Sequence, residues 1–411
     1  MRPLLSIIIA TKNRTAYCLG AIESILKIPS PQIELIIQDN SEKNDLELLV
    51  KTYDKDRRLR YRYTPPPLSS IANFNLGLEA ASGKYVCMIG DDDSVNTNIV
   101  EIVEWADRNG VDSVTGSIPV NYRWPGIEKD SHKKADGDGG LIRIEGFNCK
   151  VRRIDPLKSL EKLIRNGCTN YLLYDFPKFY HGIVKKDLFD KMKSMNGYFI
   201  GGLSPDIYTS VGLCFYVRHA VVIDYPMTIP GVCNQSTSIT EGENKAQVLD
   251  IYSAPHFRDR GEYVFDQRIP PLYCPQTIWA DSAIRAITEL GDEKLLSSLN
   301  LNSLYFQIIF LKNDISLAMF DYIKLKYRSK KIFVYLIMIA RIPIERKTWH
   351  FIGLVFGKVS KIVKISKVEE HQNVADILRG RDILTKYILK GKKNILLNES
   401  LVKYSKKVAK S

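Results

Sequence analysis

Three consecutive carboxylates, Asp91, Asp92 and Asp93, follow the apolar run Lys84-Tyr85-Val86-Cys87-Met88-Ile89-Gly90 without interruption. Adjacent like charges repel, so a strand end that collects them is suited to holding a cation. Hard divalent ions take oxygen ligands, and Mg²⁺ is commonly held by one or two carboxylates together with substrate phosphates. The triplet therefore points to a metal-diphosphate site. The same residues also suit a solvated turn capping a helix that begins near Thr97, because Asp and Asn favour helix N-termini. A further carboxylate, Asp206, sits in Gly201-Gly202-Leu203-Ser204-Pro205-Asp206-Ile207-Tyr208. The two glycines permit close approach of a substrate, and Pro205 stiffens entry into the following helix. A carboxylate in this place either takes a proton from a hydroxyl nucleophile or caps the helix through Val211 and Leu213.

These groups need elements to position them. Leu4 to Ala10 is a short, β-branched apolar run of the kind that makes a strand buried on both faces, and it ends in the polar turn Thr11-Lys12-Asn13-Arg14. A helical pattern begins at Thr15, with Leu19, Ile22, Ile25 and Leu26 on one face, and stops before Pro29 and Pro31. Ile33 to Gln38 reads as a second buried strand that delivers Asp39-Asn40-Ser41. Strand, helix, strand, each strand ending in polar residues, is the grammar of a mainly parallel α/β sheet. Ligands of such sheets bind beyond the carboxyl ends of the strands, where Thr11, Asp39 and Asp91 are predicted to converge.

The segments Ser6 to Arg14, Glu34 to Ser41, Asn75-Leu76-Gly77, and Ala81 to Val86 leading into Asp91-Asp92-Asp93 together resemble the family 2 glycosyltransferases of the GT-A fold. The resemblance returns at His181-Gly182-Ile183-Val184 and at Gly201 to Asp206 and covers about the first 240 residues. It implies a Rossmann-like, mainly parallel sheet flanked by helices, and a nucleotide-sugar site built from Thr11, Asn13, Arg14, Asp39, Asn73, Asn75, Asp91 and Asp92. Asp39 would hydrogen-bond the base with the Thr11 backbone beside it. Asp91 and Asp92 would contact the ribose or metal-bound water, and Asp93, with Asp91, would hold Mn²⁺ or Mg²⁺ against the two phosphates. Where the family often carries Arg before the Asn of its Asn-x-Gly segment, this chain has Phe74, which leaves that contact to Lys12, Arg14 or Asn73.

The family's general base aligns with Asp206. A lone base opposite a metal-neutralised leaving group implies direct displacement with inversion, in contrast to hydrolases, where a second carboxylic acid protonates the leaving oxygen. The resemblance favours a UDP-sugar donor and a glycan or lipid-linked acceptor of bacterial surface polysaccharide synthesis. His181 and Ser236 are candidate acceptor contacts. His181 alternatively is a hydrogen-bonded structural histidine, and Ser236 part of an ordinary turn within a lid-like stretch Gly231 to Gly242. His256 is a further candidate metal ligand.

Seven scattered cysteines in 411 residues, with no Cys-x-x-Cys, provide no evident zinc site and fit a reducing compartment. The chain enters a strand directly after Met1-Arg2-Pro3, so no signal peptide is expected, and no apolar run approaches the twenty residues of a spanning helix. The net charge of +13 is concentrated at one end: Asp321 to Ser411 holds 22 Lys and Arg against 7 Asp and Glu, the remainder 37 against 39. Ile352, Val355, Phe356, Val359, Ile362 and Val363 recur at helical spacing opposite Lys358, Lys361 and Lys364. This is the pattern of a basic amphipathic helix on an anionic membrane surface, or of a helix packed on the catalytic domain.

The division predicted is a catalytic domain over 1–240, with a nucleotide-sugar half over 1–115 and an acceptor half over 116–240. A closing loop and helical extension over 241–320 and a basic helical region over 321–411 follow. Val120 to Asp155 reads as a long exposed insertion, and everything after Ile278 as mostly helical. The location expected is cytoplasmic, peripheral at the inner face of the membrane. A sugar-phosphate nucleotidylyltransferase would need a Gly-rich, Arg-containing loop where this chain has Thr11-Lys12-Asn13-Arg14. A non-enzymatic membrane or nucleic-acid binder explains only the tail, and no nucleic-acid motif is present.

Overall fold

The run Leu5–Thr11 forms strand β1 with every residue buried except the half-buried Ala10, as its unbroken apolar character requires. The chain is represented by a computed structural model that describes residues 2–126, 139–235, 251–253, 255–309, 313–326 and 368–409. After β1 come α1 (Thr15–Leu26), β2 (Ile33–Asp39), α2 (Asp45–Val50), β3 (Leu59–Tyr63), α3 (Ser70–Ala80), β4 (Tyr85–Ile89), β5 (Ser94–Val95) and α4 (Ile99–Arg108). The strands β6 (Ser113–Ser117), β7 (Val120–Arg123), β8 (Leu141–Ile144) and β9 (Val151–Ile154) precede α5 (Pro156–Arg165) and β10 (Gly182–Lys185). Next are α6 (Lys186–Asn196), α7 (Pro205–Leu213), β11 (Ala220–Pro226), β12 (Thr228–Ile229) and β13 (Gly231–Val232). Helices at Pro275–Leu290, Leu301–Ile309 and Asn313–Lys326 follow. The described chain ends with β14 (Glu369–Gln372) and helices Ile377–Lys390 and Lys393–Val408.

Eight strands make the central sheet in the order β3-β2-β1-β4-β10-β6-β11-β9. Six run parallel, while β10 and β9 run against their neighbours. Alternate β1 side chains enter the two layers: Leu5, Ile7 and Ile9 pack with α1, α4 and the two C-terminal helices, whereas Ile8 packs with α3, α5, α6, α7 and Pro275–Leu290. The period of two along a strand sets this division, and it yields the α/β layering with helices on both faces.

Four expectations change. The buried face of α1 is Cys18, Ala21, Ile22, Ser24 and Ile25, with Leu19 and Leu26 only half-buried. The cause is that α1 also packs against the helix Ile377–Lys390. The stretch Val120 to Asp155, read as an exposed insertion, contributes β7, β8 and β9, and its Tyr122 and Ile142 are fully buried. Gly231–Val232, read as the start of a mobile loop, is a strand paired parallel with β7.

Residues 369–408 do not stand apart as an appendage, and they are not all helical. β14 pairs antiparallel with β8 from Glu369 opposite Ile144 to Gln372 opposite Leu141. Leu384, Leu397 and Leu401 are buried in the layer that holds β1. Trp105 Nε1 donates to Leu401 O at 3.2 Å and to Ser405 Oγ at 3.0 Å. The buried Arg381 guanidinium reaches the Ser24 carbonyl on α1. The stripe Ile352 to Val363 lies outside the described residues. Among the described residues no helix is long and apolar enough to cross a membrane.

Candidate active site

β1, β2 and β4 end side by side, so Thr11, Asp39 and Asp91-Asp92-Asp93 share one rim of the sheet. The Thr11 hydroxyl donates to Asp91 Oδ2 at 2.6 Å. Arg14 pairs with Asp91 through one amino group, which also lies 3.6 Å from Asp92. Its other amino group donates to the Gln235 carbonyl at 2.7 Å, across the rim. Asp93 accepts the backbone N–H groups of Gly90 and Gly231, each at 2.6 Å. Its Oδ2 is also 3.4 Å from the Tyr180 hydroxyl and 3.4 Å from His181 Nε2. Gly231 admits no side chain, since a Cβ there would lie 1.7 Å from the Asp92 carbonyl oxygen.

Burial pushes the Asp91 carboxyl up to about 6, with Asp92 adding to the rise while Arg14 and Thr11 oppose it. Asp93 is pushed well above the usual carboxylate range by burial and by Asp92, against the two backbone N–H groups. His181 is driven down to about 3 by burial, helped by Lys178, and so is neutral; its Nδ1 is 2.9 Å from the Thr228 hydroxyl. Three carboxylates thus face one guanidinium at this rim. A divalent ion taking oxygen donors fits both the charge imbalance and the chemistry of the donors. Among the described residues no three His, Cys, Asp or Glu side chains form a ready-made metal cage.

On the nucleotide side, Asp39 Oδ1 accepts the Ser41 N–H at 2.8 Å and its hydroxyl at 2.6 Å. Asp39 Oδ2 accepts the Tyr61 hydroxyl at 2.8 Å. Asn13, at φ 59°, joins Glu42 through its amide and Ser41 Oγ through its N–H. Asn73 donates to the Thr11 carbonyl at 3.2 Å, while its buried Oδ1 has no partner among the described residues. Asn75 turns elsewhere. It accepts the N–H groups of Phe199 and Ile200 and donates to the Ile200 carbonyl, fastening the loop before Gly201. Phe74 packs against the apolar layer, and Lys12 lies 3.9 Å from Glu42 and 4.0 Å from Asp259.

Asp206 occupies the first turn of α7, where the helix N-terminus favours a negative charge. Burial raises its carboxyl to about 6, opposed by the Lys178 ammonium and by a hydrogen bond from Tyr171. The loop before it is held from the helix Pro275–Leu290. Ser282 Oγ accepts the N–H groups of Leu203 at 3.0 Å and Ser204 at 2.9 Å and donates to Ile278 O at 2.8 Å. Arg260 donates to the Gly202 carbonyl. The Tyr180 hydroxyl, 3.4 Å from Asp93, also feels the charge of Asp206, and burial together with both charges raises its pKa.

The structure therefore gathers Thr11, Arg14, Asp91, Asp92, Asp93 and His181, and sets Asp39, Asn13 and Asn73 along the neighbouring strand ends. His181 stands beside Asp93. Ser236 lies outside the described residues, and His256 sits with its ring 5.8 Å from Tyr273. Sequence reasoning passed over Tyr61, Tyr171, Lys178, Tyr180, Thr228, Gly231 and Ser282. Only Tyr180, next to His181, and Gly231, opening a Ser/Thr-rich stretch, carried a local signal.

Residues 6–176 match the model of the family described as glycosyl transferase family 2. Glycosyltransferase GlyG of Streptococcus pneumoniae is 24% identical over 200 residues, 48% of this chain and 62% of that protein. The GalNAc(5)-diNAcBac-PP-undecaprenol beta-1,3-glucosyltransferase of Campylobacter jejuni is 29% identical over 142 residues, 31% of this chain and 45% of that protein. A glycosyltransferase of Haemophilus influenzae is 35% identical over 100 residues, 24% of this chain and 40% of that protein. The chain thus spans less than two thirds of the length of each of these relatives. The S. aureus TarS fragment 1–349, solved with UDP-GlcNAc, aligns over 77% of this chain and 79% of its own at 13% identity and a TM-score of 0.45, a likeness too slight to carry argument.

Proposed function

We propose that this chain, whose segment 6–176 matches the model of glycosyl transferase family 2, moves a sugar from a nucleoside-diphosphate donor, UDP-linked, to a hydroxyl of a glycan or lipid-linked acceptor with inversion. The observation that carries this reading is the segment Lys178–His181. It sets the Tyr180 hydroxyl 3.4 Å from Asp93, and the charges of Asp206 and of Asp93 both act on that hydroxyl while the Lys178 ammonium acts on Asp206, so the proposed cation-binding end and the proposed basic end are electrostatically linked through one short segment.

In this reading Asp93, with Asp91 beside it, would hold a divalent cation, Mn²⁺ or Mg²⁺. Bound there, such an ion offsets the charge that develops on a diphosphate leaving group. The chain's own residues do the rest. Arg14 and Thr11 keep Asp91 ionised and in place. The backbone N–H groups of Gly90 and Gly231 fix Asp93, and neutral His181 braces it without competing for the positive role. Asp39, oriented by Ser41 and Tyr61, presents a carboxylate to the base, and the free Oδ1 of Asn73 offers a second acceptor.

Asp206 takes the proton of the attacking hydroxyl. Its carboxyl, raised to about 6, still ionises at neutral pH while being a stronger base than an ordinary aspartate. Tyr171 and Lys178 hold it. In this reading no second acid is required, because a diphosphate leaving group needs charge neutralisation rather than a proton.

Sequence and surroundings also favour a membrane-proximal place of work, peripheral at the inner face of the membrane. Residues 327–367 contain ten Lys and Arg against one acidic residue, Glu345, and basic residues near an anionic surface contribute ~1 kcal/mol each. Calorimetry with UDP in the presence and absence of Mn²⁺, followed by mass-resolved detection of UDP-sugar turnover, tests the central reading. Cation-independent or absent UDP binding refutes it.

A further inference from the structure

We propose that the turn Tyr171–Leu173 seats the base-bearing end of the site on an anionic lipid surface, so that the acceptor hydroxyl is presented from that surface. The proposal rests on the reading of Asp206 as the base.

The turn is a single 3-10 turn, and its first residue is the buried Tyr171 that donates to Asp206. The next two residues point the other way: Leu172 is 60% and Leu173 75% exposed, the latter the most exposed large apolar side chain among the described residues. A single exposed leucine needs no explanation. Two in succession, on a turn whose first residue hydrogen-bonds a proposed catalytic carboxylate, do, because full burial of each would be favourable and neither is buried.

The turn is held in shape, so the leucines are displayed and do not collapse back. Asn170 adopts φ 53°, and Leu173 N–H bonds its carbonyl at 3.0 Å. The Thr169 hydroxyl donates to Gln307 Oε1 at 2.6 Å, and Asn170 donates to the same oxygen. Gln307 lies on the helix Leu301–Ile309, which packs against Asn313–Lys326. That second helix exposes Leu317 at 62% and Leu325 at 67%, and the chain then enters the strongly basic sequence 327–367. Exposed leucines on the turn and on the helix joined to it through Gln307 and Leu301–Ile309, in a chain whose sequence directly after that helix carries ten Lys and Arg against one acidic residue, supply the two attractions of an anionic membrane interface: apolar insertion and headgroup pairing.

The test places a reporter on the turn of the full-length protein. Leu173→Trp is mixed with vesicles of phosphatidylcholine containing phosphatidylglycerol, and Leu48→Trp on α2, a site equally open to solvent (Leu48 68% exposed), serves as the comparison. The expected result is a blue shift of the added emission at position 173 and none at position 48. The double variant Leu172→Ser, Leu173→Ser is expected to lose roughly tenfold or more in vesicle partition, the effect of withdrawing two leucines from an apolar phase. An unshifted Trp at 173, undiminished partition of the serine variant, or no vesicle binding by the parent protein overturns the proposal. UDP and Mn²⁺ calorimetry on the same samples separates this from the functional reading: retained nucleotide binding with a negative vesicle result rejects the seat alone, and absent nucleotide binding in the parent rejects the reading beneath it.

Discussion

Asp91-Asp92-Asp93 and Asp206 are held in opposite ways. The triplet is fixed largely by local chain and strand ends: Gly90 three residues before Asp93, Thr11 and Arg14 on the adjoining β1 end, and Gly231 across the rim. Asp206 is held from a distance, by Tyr171 and Lys178 on the way into β10, and by Ser282 and Arg260 from chain that lies beyond the family segment. A cation site needs crowded negative charge, which a short sequence can supply. A base needs a tuned, half-desolvated environment, which takes several layers of packing. The acidic rim is therefore built mostly from neighbouring strand ends, and the surroundings of Asp206 from several separate elements.

The comparison breaks first at Asp206. Asp206→Asn is isosteric and removes only the ability to accept a proton, so turnover of UDP-sugar with acceptor is expected to fall by roughly 10²- to 10⁴-fold. UDP affinity by calorimetry should stay as it was. Unchanged turnover would move the base elsewhere. Asp93→Ala acts on the other end. It strips a buried carboxylate from two backbone N–H groups and from the proposed ion, so the gain in UDP affinity on adding Mn²⁺ should vanish, an effect of about 1.5–3 kcal/mol if a charged contact is lost. An unaltered Mn²⁺ dependence would remove Asp93 from cation binding.

Ser282→Ala sharpens the contrast, because it leaves the N–H groups of Leu203 and Ser204 without their acceptor while touching neither nucleotide nor cation. We expect kcat to drop roughly tenfold with donor affinity preserved, a loss of the order of one misplaced hydrogen-bonded loop, and Ser282→Thr to restore part of it. Equal loss of donor affinity would mean that the two ends are not separately built. The smallest effect is in pH. As the proposed base, Asp206 would act only when ionised, and its carboxyl is raised to about 6. Turnover should therefore fall as pH drops through about 6 and level off above 7, and a rate independent of pH from 5 to 8 would exclude it as the titrating base.

A second contrast runs through the C-terminal region. Its overall charge is legible from composition, but composition does not distinguish a strand and helices that complete the core, 369–408, from the run of basic sequence before them. Deleting everything from Asp321 would remove Leu384, Leu397 and Leu401 from the buried layer along with the basic run, so a clean test of membrane contact leaves β14 and its helices in place.

The sequence by itself determined the α/β class, the order of β1, α1, β2 and β4, and the acidic rim, because buried parallel strands read as continuous apolar runs and their polar ends stand out against them. It also determined that Asp206 opens a helix after two glycines. Only the tertiary structure decided that Tyr171, Lys178 and Ser282 serve Asp206, that His181 stands against Asp93, and that Asn75 is spent on the loop before Gly201. Those contacts join residues 28 to about 125 positions apart with no shared periodicity, so their partners are set by where the layers meet, and pairwise proximity of that kind leaves no pattern along the chain.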